Sequence, residues 1–576
     1  MAKIYDIIPI GHALRDSLKN GYSFATFKSD LIAGLIVSMV ALPLAMALSI
    51  AVGLPPQHGL YTAIVAGIAV PLLGGSISQV SGPTAAFVVI VAPIVTAHGL
   101  RGLIITTIMA GFLLIALGLA KLGRYINYVP YPVTTGFTSG IAVVIGTLAL
   151  NDFLGLGIEK LQGEYIHKVA LIVEHIPAFN WPEALVGVVT LALMFNSNRF
   201  LPKVPAPVVG IGIGTLLAII LQHYGYGIAT IGNRFTYVLT NGDTGHGIPP
   251  FPPSFHIPGL DGLALFAMPT VAEIQMLMVP ALVIAILGAL ESLLSAAVAD
   301  GMAGTKHNPN SELVGVGIGN ILSGLVAGIP ATGAIARTAT NIHSGAKTPF
   351  ASSIHAILIL LYVLLLAPYM SYIPMASLAA LLITVAYRMS HWRQFLRTIQ
   401  IAPRSDTIVL IACFGFTVFI DMVAGVTVGV VLACFLLVKR VSNLTQSNVS
   451  HASTGHHQKL KHLTLPEDVM VYHINGSLFF GTVETALERT GFILDHIKML
   501  IIDMEDVPLI DMTGLVAMKT LILDYQNKSR MIVLCGRREV TDMILKKLPP
   551  IAQEQLMITE TLNQALMMIS NDGGVA

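Results

Sequence analysis

Twelve apolar stretches of this chain are candidates to cross a lipid bilayer, and that one feature restricts the fold more than any other. Lipid offers no hydrogen-bond partners, so a spanning segment must satisfy its own backbone as a helix or close into a barrel. A helical crossing takes about 20 apolar residues. The full-length candidates fall at 31–50, 59–75, 102–120, 131–150, 183–196, 205–222, 275–299, 313–329, 350–367, 374–387, 406–420 and 422–438. Two further segments, 81–97 and 332–345, are shorter or more polar and open with Gly, Pro and Thr. Charged residues are only 11% of the 576, well under the roughly 25% of an ordinary soluble domain. Most of the chain is therefore expected to lie in lipid.

The fourteen segments form an even number, which places both termini on one side. Lys and Arg choose that side, because short cytoplasmic loops carry the excess of positive charge. With the N-terminus inside, the inner loops hold Lys121, Arg124, Arg199, Lys203, Lys306, Lys347, Arg388, Arg393, Arg397 and Arg404, and Lys439 and Arg440 follow the last span. Only Arg101, Lys160, Lys168 and Arg234 oppose the trend. Residues 1–30 read as an amphipathic cytoplasmic segment with no cleavable signal, so the first span serves as an anchor. The expected localisation is the bacterial inner membrane, with both termini cytoplasmic.

Several function classes fall away. A net charge of +1 with no basic stripe gives no footing for nucleic-acid binding. Cys413, Cys434 and Cys535 are far apart and have no metal-ligand spacing, so no metal or disulfide is expected. No GxxxxGK[ST] motif supports ATP-driven pumping. No cofactor or catalytic residue is expected, and the chain does not read as an enzyme.

The two odd segments carry the chemistry. One reads SGPTAAF from Ser81, the other GIPATGAIAR from Gly328. They are the third and tenth segments and so hold the same place in two halves of seven, about 31–222 and 275–440. With seven spans per half, the second half is inserted upside down relative to the first. Interrupted helices at matching places mark an inverted-repeat transporter with its binding site at the midplane. A half-helix starting there offers free N–H groups and about half a positive charge to an anion.

Two ionisable residues lie in these spans, and intramembrane charges mark pathways. Arg337, one turn into the second half-helix, reads as a counter-charge for a carboxylate or another anion. Glu291, in LGALESLLSAAVAD, shares a helix face with Gly288 and Ser295. A carboxyl group there can carry a coupled proton. The alternative is a structural ion pair between Glu291 and Arg337. Beyond a polar linker at 441–460, residues 461–576 alternate strand and helix, with a helix around 483–497 and a last pair of helices after SRMIVLCG, as a small α/β domain does. Asp511 there fits a helix N-cap and Gly514 a close approach in the first turn.

These residues resemble the SulP family of anion transporters. The likeness rests on LPLAMALSIAVGLPPQHGLYTA (42–63), SGPTAAF (81–87), LGALESLLSAAVADGMAGTKHNPNSELVGVGIGNI (287–321) and PATGAIARTATN (330–341). The C-terminal part is similar to a STAS domain through IIDMEDVPLIDMTGL (501–515). The GMAGTKHNPNSELVG loop and IATIGNRFTYV (228–238) are similar to bacterial transporters of four-carbon dicarboxylates such as succinate, fumarate and aspartate. The resemblance implies a fourteen-segment inverted repeat, an elevator-type motion, a homodimer and dicarboxylate uptake with protons. It implies a substrate site of Leu44, Leu48, Thr84, Ala85, Glu291, Ser295, Ile335, Ala336 and Arg337, with Glu291 coupling the proton. Leu44 stands where several relatives have a polar residue. In the STAS loop Asp511, Met512 and Thr513, Met512 occupies the position of the Ser that is phosphorylated in soluble relatives, which removes that switch. A cytoplasmic protein partner of this domain is also implied. The alternatives are bicarbonate or sulfate transport, with sodium as an alternative coupling ion, and, from another class, a membrane-anchored signalling protein.

Overall fold

Apolar runs broken by Gly and Pro become helices that stop where the breakers stand. The computed structural model describes residues 10–19, 21–124, 129–158, 161, 163–201, 204–238, 243–260, 263–442, 446–450, 467–487 and 497–571. A short amphipathic α1 (His12–Lys19) precedes α2 (Phe24–Ala51) and α3 (Pro56–Leu73). An extended stretch then leads through β1 (Ser81–Gly82) and a 3₁₀ turn (Ala85–Phe87) into α4 (Val88–Leu119). At Gly99 α4 leaves helical geometry, so it comprises a half-helix and a full span. There follow α5 (Tyr131–Leu154), the surface helix α6 (Tyr165–His175), α7 (Trp181–Phe200) and α8 (Ala206–His223). A connection with α9 (Ile231–Arg234) and the hairpin β2 (Thr236–Val238) and β3 (Thr244–His246) links the halves.

The second half repeats the order: α10 (Val271–Ala303), α11 (Pro309–Leu325), β4 (Thr332–Gly333), α12 (Ile335–His343), α13 (Pro349–Met370) and α14 (Met375–Ser390). An amphipathic α15 (Trp392–Ile401) leads to α16 (Arg404–Phe419) and α17 (Met422–Ser442). Every expected span, including both broken ones, has its helix. Among the described residues seven helices are individually long and apolar enough to cross a membrane. The rest are shorter or more polar and depend on their neighbours.

Packing interleaves the halves. Helices α2, α3 and α4 bundle with α10 to α13, while α5, α7 and α8 bundle with α14 and α16. The contact between α4 and α11 is close because each offers glycine: a Cβ on Gly111 would lie 2.6 Å from the Gly317 carbonyl oxygen, and one on Gly317 2.7 Å from that of Gly111. Small residues admit such approach where no hydrophobic force drives helices together in lipid. Asp30, fully buried, ties the start of α2 to that of α13 by accepting from the Lys347 amide and the Thr348 hydroxyl at 2.7 and 2.5 Å. Asp421 caps α17 by accepting from the Ala424 amide at 2.7 Å.

The chain divides into two compact units, residues 1–430 and 431–576. The second holds a five-stranded sheet of β5 (Gln446–Ser450), β6 (Val469–Asn475), β7 (Met499–Met504), β8 (Met531–Gly536) and β9 (Leu556–Thr559), in that order. β5 runs antiparallel to β6 and the other pairs are parallel. Helices α18 (Val483–Leu487), α19 (Met512–Asn527), α20 (Arg538–Leu545), α21 (Pro550–Glu554) and α22 (Leu562–Asn571) accompany it, with apolar clusters on both sheet faces. Two elements correct the sequence reading. The stretch expected to be only linker contributes β5, whose polar QSNVS has no apolar pattern and pairs through its backbone. The last helices are separated by β9, whose four residues are too few to show alternation. The helix expected at 483–497 is seen as α18, and 488–496 lie outside the described residues. Burial pushes the Cys535 thiol up to about 12, so it stays neutral.

Candidate functional site

The two broken segments meet. β1 and β4 pair antiparallel, with Ser81 opposite Gly333 and Gly82 opposite Thr332. Backbone of this kind survives at membrane depth only when protein surrounds it, and hydrogen bonds from neighbouring helices tie both segments into the bundle. The first is held by the second half. Glu312, buried near the start of α11, accepts from the amides of Gly75 and Ser76 at 2.8 and 3.0 Å and from Gln79 Nε2 at 2.7 Å. Thr338 accepts from the Val80 amide, and Asn341 and Ser352 donate to the carbonyls of Ser78 and Gln79. The second segment is held partly by the first half. Thr62 exchanges hydrogen bonds with the amide and carbonyl of Ile329, while Asn320 brackets Ala331 and Ser292 accepts from the Gly333 amide.

From this bridge two helix starts emerge. Thr84 and Ala334 occupy the cap positions, and neither side chain caps its helix. The amides of Ala85, Ala86, Ile335 and Ala336 bond to none of the described residues. Ile335 and Ala336 are exposed, Thr84 is half-buried and Ala85 is buried. The Thr84 hydroxyl donates instead to Glu291 Oε2 at 3.0 Å.

Arg337 is 2% exposed and reaches across to the first segment, where Nη2 donates to the Pro83 carbonyl. A Cβ on Gly82 would lie 2.8 Å from Arg337 Nη1, and its φ of 153° also favours glycine there. Among the described residues, Arg337 Nε and Nη1 and the Ser81 hydroxyl are buried with no hydrogen-bond partner. Unsatisfied buried polar atoms are uncommon and each calls for a cause. Here they cluster beside two unfilled helix starts.

The structure therefore joins Thr84 with Glu291 and Arg337 with the first broken segment. Among the described residues Glu291 and Arg337 make no direct ion pair, and the hydrogen bond of Glu291 is with Thr84. Ser295 is fully buried and its hydroxyl lies 3.3 Å from that of Thr338, a tie between α10 and α12. Leu44 and Leu48 lie one turn apart on α2, which packs on α12, and offer only apolar surface. Asp511 caps α19 through the Gly514 amide at 2.8 Å and accepts from that of Phe480, Gly514 packs close to the Leu478 carbonyl, and Met512 and Thr513 are exposed. Sequence reasoning missed Glu312. Its signal was an acidic residue at the head of an apolar span.

Residues 27–413 match the family model described as the sulfate permease family, and residues 462–550 match that of the STAS domain. A putative sulfate transporter of Bacillus subtilis is 38% identical, over 92% of this chain and 94% of its own. A bicarbonate transporter of Synechocystis is 30% identical over 92% of both. Among solved structures, the murine solute carrier 26 family member A9 anion transporter superposes with a TM-score of 0.83, covering 99% of this chain and 95% of its own at 17% identity. That last likeness concerns the fold.

Proposed function

Because the chain belongs to the sulfate permease family and ends in a STAS domain, we propose that it carries a compact oxyanion, sulfate or bicarbonate, across the membrane through the cradle between its two broken helices. The observation that supports this most is the grouping of donors: four unbonded amides at two converging helix starts, with two unpartnered nitrogens of Arg337 and the Ser81 hydroxyl beside them. Helix starts favour negative charge, and so does a buried guanidinium. The side chains of Leu44, Leu48, Ala85, Ile335 and Ala336 are apolar, so the selectivity of the cradle rests on backbone and Arg337. One such cradle suits one compact anion. The names of the relatives favour sulfate or bicarbonate over the four-carbon dicarboxylates implied by the resemblance at 301–315.

Glu291 is the proposed coupling group, exchanging a proton as the anion binds, with Thr84 linking it to the first helix start. The bundle containing both broken helices moves as an elevator against the other. In this reading the loops rich in Lys and Arg face the cytoplasm of a bacterium together with both termini, a homodimer is the expected assembly, and a cytoplasmic protein docks on the STAS domain. Purified protein in liposomes tests the reading. Labelled sulfate or bicarbonate should accumulate against its gradient, more so with an inward proton gradient. Accumulation of succinate and of neither oxyanion would restore the dicarboxylate reading. A sodium requirement with no response to protons would reassign the coupling ion.

A further inference from the structure

Four cations run against the charge bias that orients the spans, and their fates differ. Lys160 lies outside the described residues. Arg101 bonds to Glu273 at 2.9 Å and to the carbonyls of Ala264 and Ala267. Arg234 pairs with Asp152 at 2.5 Å. Lys168, half-buried on α6, makes no ion pair with a described residue, yet it lines a cavity of about 410 Å³.

That cavity lies between the two helix bundles. Its apolar walls come from α2, α4, α5 and α14, and Asn151, Asp152, Lys168 and Arg234 supply its polar rim. Val52, Gly53 and Met375 also line it, so it opens at the end of the spans opposite the Lys- and Arg-rich loops. Its inner end touches the cradle's own elements: Ala47 adjoins Leu48, and Val88 is one turn beyond Ala85. The size is that of a small-ligand site. Arg234 and Asp152 neutralise each other, which leaves the Lys168 ammonium as the net charge of the described lining. Glu183 lies near this pair but off the cavity, its carboxylate accepting from the Ala229 amide and Asn180 Nδ2 at 3.1 Å each. Low-dielectric walls concentrate the field of such a charge and raise the local concentration of counter-ions.

We propose that this cavity is an outer docking vestibule for inorganic oxyanions, in which Lys168, beside the rim fixed by Arg234 and Asp152, captures the anion before it reaches the cradle. The inference rests on the reading of the chain as an oxyanion transporter. Cells expressing the full chain provide the test, with labelled sulfate and labelled bicarbonate as probes. Lys168→Glu should raise KM on the order of tenfold, with a smaller change in Vmax, and reverse the dependence of kcat/KM on ionic strength, because the lining then repels the anion. Lys168→Cys, in a Cys434→Ser background because Cys434 is the exposed cysteine, allows charge to be restored from outside. A membrane-impermeant cationic thiol reagent should lower KM again, and an anionic one should raise it. A Lys168→Glu protein with parental KM and salt dependence overturns the vestibule alone, as do two reagents that shift KM in the same direction. Failure of the parent to take up either anion overturns the transport reading and the vestibule with it.

Discussion

Two carboxylates of one bundle, half-buried Glu291 and buried Glu312, have different partners, and the proposed reading gives them different work. Among the described residues Glu291 accepts a side-chain hydrogen bond from Thr84 alone, beside an unfilled helix start. Gln can accept from Thr84 just as Glu does, but it cannot take up a proton. Glu291→Gln should therefore keep anion binding and lose the pH dependence of uptake, as read from initial rates across a pH series. A pH profile identical to the parent's would place the coupling proton elsewhere. Arg337 and Glu291 were legible in the sequence because an ionisable residue in an apolar span stands out by itself. Their relation was not. Thr84 is 207 residues from Glu291, and no local pattern says whether the acid meets an arginine or a hydroxyl.

At the scale of elements, the broken segments hold their place through side chains from elsewhere in the chain. Glu312 accepts three hydrogen bonds from residues 75, 76 and 79. Glu312→Ala would leave three buried donors without an acceptor, at roughly 1–3 kcal/mol each before relaxation. Glu312→Gln, which trades one oxygen for a donor, should cost less. Melting of the detergent-solubilised protein should rank parent above Gln above Ala, while the pH profile of any residual uptake stays that of the parent. A Glu312→Gln protein with parental melting and a lost pH response would make Glu312 the coupling group. The spans were legible because length, apolarity and breakers are local properties. The pairing of Ser81 with Gly333 could be inferred only from the matching places of two Gly-Pro-Thr segments, and the residues that secure it gave no local sign. Glu312 belongs to the same passage, 287–321, that carried the family resemblance, yet its role appears only when α11 lies against the first broken segment.

Over the whole molecule, two halves of seven spans bring their broken segments together as paired strands β1 and β4, each leading into a helix, and the second unit adds an α/β sheet. The inversion followed from counting segments. The edges of the sheet did not follow from its pattern, because β5 is polar and β9 is four residues long, and each is specified by its neighbour strand. In the proposed reading, the partial positive charges of the two helix starts act on the anion together with Arg337. The direct test is a structure of the full chain determined with its transported oxyanion bound, selenate standing for sulfate. The account predicts density between the two helix starts, within hydrogen-bonding reach of the amides of Ala85, Ala86, Ile335 and Ala336. Density for the transported anion that lies away from both starts would contradict it.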